Sequence, residues 1–207
     1  MVDKYIELHS SPLPEVLDWL ERETHLRTNH GRMLSGPVLG RLLITFSKMI
    51  SPERILEIGT FTGYSAICLA QGLNEGGTLD AVERNDELES LILEGFRRAG
   101  VEDKIDLHIG SAADIIPTLD KMYDIVYIDG NKREYCRYYD LIFDKVVKGG
   151  YILADNVLWS GKLTETPMPQ DAQTQALARF NDMVANDLRV ECFILPLRDG
   201  LNIIRKR

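Results

Sequence analysis

The sequence is poor in cysteine. Its three cysteines, Cys68, Cys136 and Cys192, lie far apart, are odd in number and form no CxxC pair. This spacing argues against a disulfide framework and against a cysteine-based zinc site. We therefore expect a protein of the reducing cytoplasm.

The sequence also lacks an excess of positive charge and long apolar runs. Lys and Arg number 24 against 32 Asp and Glu, a formal net charge of −8, which disfavours a mainly electrostatic hold on nucleic acid or anionic lipid. No stretch approaches the roughly 20 apolar residues of a membrane span. The N-terminal MVDKYIELHSSP has no apolar signal-peptide core. We expect neither export nor membrane insertion.

The length and composition predict one domain. The 207 residues, 44% of them hydrophobic, can bury one sizeable core and contain no internal repeat or long linker. Residues 1–50 lack strand signals and contain two helical patterns, around Leu13–Thr24 and Pro37–Met49. We expect a single domain over residues 1–207, in which residues 1–50 form a helical cap on a core of residues 51–207.

From residue 54 onward, short β-rich runs alternate with longer amphipathic stretches. This alternation predicts an α/β fold of the Rossmann-like type, a mostly parallel sheet with helices on both faces. The predicted strands are Arg54–Gly59, Thr78–Glu83, Ile105–Ile109, Tyr123–Asp129 and Tyr151–Ala154.

The chain ends with a different pattern. A polar loop over residues 157–170 precedes a predicted helix, Asp171–Asn186. Two β-type runs follow, VECFILPL and GLNIIRKR, joined by Arg198-Asp199-Gly200. They predict a terminal hairpin with one strand antiparallel to the rest of the sheet.

A glycine loop follows the first predicted strand, in ILEIGTFTGYS. Its glycines, Gly59 and Gly63, have GxxxG spacing instead of the GxGxxG that binds a dinucleotide pyrophosphate, which argues against an NAD-dependent oxidoreductase. Glu57 ends the first strand and Glu83 ends the second, where an acidic side chain binds a ribose diol in such folds. A positively charged nucleoside without phosphate would satisfy both carboxylates.

Two further strand ends carry polar groups, Asp129 in IDGNK and Asp155-Asn156 in ILADN. Because the carboxyl ends of parallel strands share one edge of a sheet, we expect these side chains to converge. Two carboxylates and an amide oxygen suit Mg²⁺ or Mn²⁺ and leave the site open for substrate oxygens. Lys132, at the start of the next helix, is a candidate proton acceptor.

Together, LEIGTFTGYSAICLA, AVERND, YIDGNK and LADNVLWSGK resemble the metal-dependent class I O-methyltransferases, which include catechol and plant caffeoyl-CoA O-methyltransferases. The resemblance runs from about residue 33 to the C-terminal DGLNIIRKR. It implies a seven-stranded sheet, a cofactor S-adenosylmethionine (SAM), a divalent metal (Mg²⁺, Mn²⁺ or Ca²⁺) and a homodimer. It makes Asp129, Asp155 and Asn156 the metal ligands, and Lys132, with Asp129, the catalytic pair.

The same resemblance implies the residues of the SAM site. Many relatives have an aspartate where this chain has Ser111, so we regard that contact as the least secure. Met33 and Ser35 are expected at the rim of the SAM pocket, and His30 and Trp159 beside the acceptor. The SAM-site residues are Met33, Ser35, Glu57, Gly59, Thr60, Phe61, Tyr64, Ser65, Glu83, Arg84, Gly110, Ser111, Ala112 and Asp129.

The resemblance implies methyl transfer from SAM to a hydroxyl of a catechol-like small molecule. A hydroxycinnamoyl-type ester, or a hydroxylated uridine in tRNA, is an alternative acceptor, and a non-catalytic SAM-binding protein is an alternative role. An RNA acceptor would use a basic face formed by Arg22, Arg27, Arg32 and Arg41. We favour the interpretation that these arginines pair with Glu21 and Glu23.

Overall fold

The computed structural model describes residues 5–6, 8–29 and 31–207, without the side chain of residue 32. The predictions for His30 and for the side chain of Arg32 therefore lie outside the described residues. Within the described part of the chain, no helix is long and apolar enough to cross a membrane.

Within the described ranges, seven strands form one sheet, with the order β3-β2-β1-β4-β5-β7-β6. Strands β1 to β5 pair in parallel, and β7 runs antiparallel to both of its neighbours, β5 and β6. The predicted fold class and terminal hairpin are confirmed. The strands are β1 (Arg54–Ile58), β2 (Thr78–Glu83), β3 (Ile105–Ile109), β4 (Tyr123–Ile128), β5 (Val146–Ala154), β6 (Val190–Leu195) and β7 (Leu201–Lys206).

Helices connect the strands and cover the sheet. Helices over Glu15–Arg27 and Gly36–Ile50 precede β1, as the helical patterns of the N-terminal segment predict. The helices are α1 (Glu15–Arg27), α2 (Gly36–Ile50), α3 (Tyr64–Ala70), α4 (Glu89–Ala99), α5 (Ala112–Ile115), α6 (Tyr135–Phe143) and α7 (Ala172–Ala185).

The sheet separates two hydrophobic clusters. Along β1, Ile55 belongs to one cluster and Leu56 to the other, because successive side chains of a strand point to opposite faces. Leu20 of α1 and Leu43 of α2 pack into the first cluster. Phe180 of α7 packs into the second. Burial on both faces explains the unbroken apolar run IVYI in the second half of β4.

Several predicted boundaries differ from the structure. Gly59 lies one residue beyond the end of β1, and Asp129 lies one residue beyond the end of β4. Asp171 precedes α7 as its N-cap, because its carboxylate accepts a hydrogen bond from the Thr174 N–H at 3.0 Å. The prediction that β5 begins at Tyr151 was wrong. It begins at Val146, which pairs with Tyr123 before a register shift that accommodates the glycines in this segment.

The strand order places a topological switch point between β1 and β4. From β1 the chain builds outward to β2 and β3, and then returns to add β4 and β5 on the other side. Ile58 lies in register with both Val82 of β2 and Ile128 of β4, so these three strands end level with one another. A crevice at the carboxyl ends of such strands is where open α/β sheets bind ligands.

Candidate active site

The glycine loop after β1 brings the ends of β1 and β4 together. Gly59 has φ +92°, and a Cβ at this position would lie 2.6 Å from the backbone oxygen of Asp129. Both the backbone conformation and the lack of space therefore require glycine. Gly63 has φ +94° and leads into α3, with no room beside Phe96. The loop is shaped by backbone packing at the switch point.

Glu83 joins the end of β2 to this loop. One of its carboxylate oxygens, Oε2, accepts a hydrogen bond from the Phe61 N–H at 2.7 Å, and Oε1 accepts one from the Asn85 N–H at 2.8 Å. Phe61 itself has a left-handed backbone, with φ 52°. Glu83 thus holds the loop in a conformation that most residues avoid.

Glu57 lies beneath the loop and is fully buried. The Thr60 hydroxyl donates to its Oε2 at 2.7 Å, whereas Oε1 has no hydrogen-bond partner within the described residues. Burial raises the pKa of Glu57 to about 7, and the charges of Asp129 and Glu83 raise it further against the lowering effect of the Ser65 and Thr60 hydroxyls. A buried carboxylate with a free oxygen is suited to bind a cationic group.

A cavity of about 390 Å³ opens at the carboxyl ends of β1 to β4. Its volume is within the range of small-molecule sites. Most of the residues predicted for SAM line it: Met33, Gly59, Phe61, Glu83, Arg84, Gly110, Ser111, Ala112 and Asp129.

A second cavity, of about 400 Å³, adjoins the first. The two share Met33 and the segment from Asp129 to Asn131, so that Asp129 stands at their boundary. The second cavity is also lined by Lys132, Asp155, Asn156, Trp159, Gln173, Arg198 and Asp199. The three residues expected to hold a metal therefore all line the second cavity, and one of them, Asp129, also lines the first.

The ion pair of Lys132 with Asp129 is the shortest polar contact at this boundary, at 2.6 Å from Nζ to Oδ1. Asp155 is almost fully buried, and it accepts hydrogen bonds from the Asn156 N–H at 2.8 Å and from the Tyr127 hydroxyl at 3.2 Å. Burial raises the pKa of Asp155 to about 6, with a further contribution from the charge of Asp129. The convergence expected from the strand ends is present.

Backbone strain is concentrated around the two cavities. Asn156, Trp159 and Arg198 line the second cavity and have φ of 60°, 48° and 51°. Phe61 at the first cavity is also left-handed. Such conformations cost energy and persist where the surrounding structure imposes them, as it often does at functional sites.

Some predicted SAM residues lie behind the cavity wall. Ser35, Glu57, Thr60, Tyr64 and Ser65 are buried and do not line the cavity. The sequence interpretation also missed residues that do line it. Gly130 and Asn131 stand within the YIDGNK motif, Ile58 within LEIGTFTGYSAICLA and Val82 within AVERND, so these four were identifiable from the motifs, whereas the other two lie outside them. The missed residues are Ile58, Val82, Gly130, Asn131, Glu134 and Tyr138.

Fold and site together define the class of the protein. A mixed seven-stranded sheet with a glycine loop and a cavity at its switch point is a Rossmann-like α/β fold that binds a nucleoside-containing cofactor at the strand ends. A sequence model of the O-methyltransferase family matches residues 7–207. The chain therefore belongs to the O-methyltransferase family, whose members use SAM.

Curated relatives include plant enzymes. The caffeoyl-CoA O-methyltransferase of Medicago sativa is 34% identical over 184 residues, which cover 81% of this chain and 72% of that protein. Caffeoyl-CoA O-methyltransferase 2 of Populus trichocarpa is 33% identical over 218 residues, covering 96% of this chain and 86% of that protein.

Solved structures of methyltransferases have the same fold. One is the O-methyltransferase TomG of Streptomyces achromogenes, which is involved in tomaymycin synthesis and was solved in complex with SAM. It superposes with a TM-score of 0.92 at 28% identity, and the match covers 99% of this chain and 95% of that chain. The SAH-bound Podospora anserina methyltransferase PaMTH1 has a TM-score of 0.91 at 29% identity, covering 100% and 94%. SAM-dependent O-methyl transfer is thus the activity class of this chain.

Proposed function

We propose that the protein methylates a hydroxyl of a catechol-like, vicinally oxygenated small molecule with the help of a divalent cation. The observation that carries the proposal is the pair of adjoining cavities that share Asp129. One cavity has the size and lining for SAM, and the other has the two carboxylates, the amide and the lysine that such an acceptor needs.

In this proposal SAM occupies the first cavity. The Glu83 carboxylate, at the end of β2, accepts hydrogen bonds from the ribose hydroxyls, using lone pairs that its two backbone partners leave free. The Glu57 carboxylate lies behind the wall of this cavity, and its negative charge attracts the ammonium of the methionine moiety across the glycine loop without direct contact. Ser111 and Ala112 line the cavity beyond β3, where the adenine is expected.

The donor set at the boundary fits a hard divalent cation. Within the described residues no three His, Cys, Asp or Glu side chains cluster as a metal site. The proposed set instead consists of two carboxylates, Asp129 and Asp155, and the amide of Asn156, all of which line one cavity. Oxygen donors of this kind suit Mg²⁺ or Mn²⁺. A cation held there would supply a Lewis acid and a template for two neighbouring substrate oxygens.

Lys132 accepts the proton in this scheme. The acceptor oxygen forms a bond to the methyl carbon, the carbon–sulfur bond breaks with its electron pair staying on sulfur, and the hydroxyl proton passes to Lys132. No covalent intermediate with the protein is needed. The walls of the two cavities hold donor and acceptor in line, and orientation of this kind can supply several of the roughly 7–11 kcal/mol that proximity offers.

The second cavity favours a small aromatic acceptor. Trp159 and Arg198 both line it. Burial raises the pKa of Asp155, and the positive charge of Arg198 offsets part of that rise. Arg198 forms no ion pair within the described part of the chain. An acidic group on the acceptor would provide its partner.

The arrangement of arginines on α1 and α2 does not favour an RNA acceptor. Arg27 pairs with Glu23 at 2.7 Å and with Glu94 at 3.3 Å, and an Arg41 nitrogen donates to the Ser11 carbonyl at 2.8 Å. Of the pairings predicted with Glu21 and Glu23, the described residues contain that of Arg27 with Glu23, whereas Arg41 contacts a backbone oxygen instead.

The first experiment is a calorimetric titration with SAM, followed by a methyl-transfer assay on catechol with Mg²⁺ and again with excess EDTA. We expect SAM binding and turnover that EDTA abolishes. Turnover that survives chelation would remove the metal from the proposal. SAM binding without catechol turnover would direct the search to larger acceptors, and failure to bind SAM would overturn the proposal entirely.

We also propose a cytoplasmic homodimer. The location is supported by the scattered free cysteines. The assembly is supported by the family resemblance and by exposed apolar side chains on the edge strand β6, Phe193 and Ile194. Light scattering on the purified protein would give a monomer mass if the assembly is wrong.

A further inference from the structure

Tyr135 is a fully buried tyrosine at the start of α6 whose hydroxyl lies next to the candidate catalytic lysine. Lys132 Nζ donates to the Tyr135 oxygen at 2.8 Å. The hydroxyl in turn lies 2.9 Å from the backbone oxygen of Asp155 and 3.2 Å from that of Ile128. One phenol group therefore touches the lysine and the ends of β4 and β5.

The direction of these hydrogen bonds follows from the chemistry of the groups. A backbone carbonyl can only accept, so the single Tyr135 proton is donated to the Asp155 or Ile128 oxygen. The Ile128 oxygen already accepts from the Asp155 N–H at 2.9 Å, and the Asp155 oxygen is the nearer of the two. With its proton committed to the backbone, the Tyr135 oxygen acts towards Lys132 only as an acceptor.

This arrangement restricts the lysine nitrogen. Asp129 Oδ1 accepts from Nζ at 2.6 Å and the Tyr135 oxygen accepts from it at 2.8 Å. Together with the bond to Cε, these contacts occupy three of the four directions around the tetrahedral nitrogen. Because Lys132 lines the second cavity, the fourth direction is available to a substrate in it.

We propose that Tyr135 is a positioning residue that aims the Lys132 nitrogen at the acceptor hydroxyl. The inference rests on the proposed function, in which Lys132 takes the proton. Asp129 alone would leave Nζ free to rotate about the Asp129 contact, whereas a second contact on a rigid aromatic side chain fixes it. The Tyr135 ring is itself held edge-on against Phe180, with ring centroids 5.3 Å apart.

The chain offers a matched control on the same helix. Tyr139 is also buried and also packs edge-on against Phe180, and its hydroxyl donates to Asp187 at 3.1 Å, away from the two cavities. Tyr135→Phe and Tyr139→Phe therefore each remove one buried hydroxyl from the same helix and the same aromatic cluster. Only the first removes a contact of Lys132.

The kinetic test measures kcat and the KM for SAM in wild type, both tyrosine variants, Lys132→Ala and the Lys132→Ala/Tyr135→Phe double variant. We expect Tyr135→Phe to lower kcat by about tenfold to a hundredfold, the size of effect that misplaced reacting groups have, with an unchanged KM for SAM. Tyr139→Phe should keep the wild-type kcat. In the Lys132→Ala background, Tyr135→Phe should have no further effect.

An equal loss of kcat with and without Lys132 would overturn the proposal, because Tyr135 would then act through the Asp155 backbone alone. A second readout does not need activity, namely the crystal structures of wild type and Tyr135→Phe. We expect Nζ to leave its position in the variant while Asp155 stays in place. If Nζ has the same position in Tyr135→Phe as in wild type, the positioning role is overturned. It is also overturned if, in the wild-type crystal structure, Nζ lies more than about 3.5 Å from the Tyr135 oxygen, which is the limit of a hydrogen bond. A displaced Nζ in a protein that turns over no acceptor would support the positioning and contradict the proposed function.

Discussion

The Glu83 carboxylate accepts a hydrogen bond from the Phe61 N–H at 2.7 Å, so the acidic end of β2 and the glycine loop after β1 form one unit. Glu83 is therefore both a candidate ribose ligand and a support for the loop. Other residues of the site also support the loop. Glu57 lies beneath it and accepts a hydrogen bond from the Thr60 hydroxyl, and Gly59 packs against the end of β4.

Glu83→Ala should weaken SAM binding by about 1–3 kcal/mol, because charge-assisted hydrogen bonds to the ribose are lost and the Phe61 N–H loses its acceptor. Isothermal titration calorimetry measures the change. Glu89→Ala, which removes an exposed carboxylate at the start of α4, should bind SAM like the wild type. Unchanged affinity in Glu83→Ala would remove Glu83 from the SAM site.

Glu57 should make stability depend on pH. Its pKa is raised from 4.5 to about 7 by burial, so between these values the folded protein holds a proton that the unfolded chain has released. The contribution of Glu57 to stability is therefore full below about pH 4.5 and is lost as the pH rises towards 7. Relative to wild type, Glu57→Gln should gain stability over this window, by at most about 3 kcal/mol.

Urea unfolding of wild type and Glu57→Gln across this pH range measures the difference. Taking the difference between the two proteins cancels the pH dependence of groups that are too distant to interact with Glu57. A difference that stays constant with pH would show that Glu57 has an ordinary pKa in the folded protein.

Asp155→Ala should abolish turnover while SAM binding stays within about threefold of wild type, which corresponds to less than about 1 kcal/mol. Asp155 lines the second cavity and not the first, so its loss removes a proposed metal ligand without changing the wall of the first cavity, where SAM is proposed to bind. Turnover is assayed with Mg²⁺ and with EDTA, and SAM binding by calorimetry. An Asp155→Ala protein that works fully in EDTA would refute the metal site.

Gly59→Ala should be more destabilising than Gly76→Ala. Both glycines have positive φ, at +92° and +78°, and each substitution incurs about 1–2 kcal/mol of left-handed strain. Only at Gly59 does the added Cβ meet the Asp129 backbone, whereas nothing lies within 4 Å at Gly76. Denaturant unfolding gives both values, and equal losses would mean that the ends of β1 and β4 separate easily.

Arg198→Gln should reduce the preference for an acidic acceptor. If the guanidinium contacts a carboxylate in the second cavity, kcat/KM for dihydroxybenzoate relative to catechol should fall about tenfold, or about 1.4 kcal/mol. Arg205→Gln on β7 removes an arginine that pairs with Glu191 on the surface and serves as the control. A ratio that is the same in both variants would exclude Arg198 from acceptor recognition.

The fold class and much of the candidate site could be predicted from the sequence, because both depend on local patterns. Buried runs such as IVYID mark strands, and in a parallel sheet the residues that follow them must meet at one edge. Asp129, Asp155 and Lys132 were identified in this way, and the structure places all three on one cavity. The start of β5 was missed because its glycines have the local pattern of a turn.

Tertiary structure decided the features that depend on residues distant in sequence. Whether Glu57 lines a cavity or lies beneath one depends on how the loop folds over it, and its raised pKa follows from that burial. The contact of Tyr135 with the Asp155 backbone joins residues on different elements, and no spacing along the chain encodes it. The sequence by itself determined the strands, the glycine loop and the chemistry of the strand ends, because these follow from periodicity and residue type. Packing determined which of those groups became buried, paired or open to a ligand.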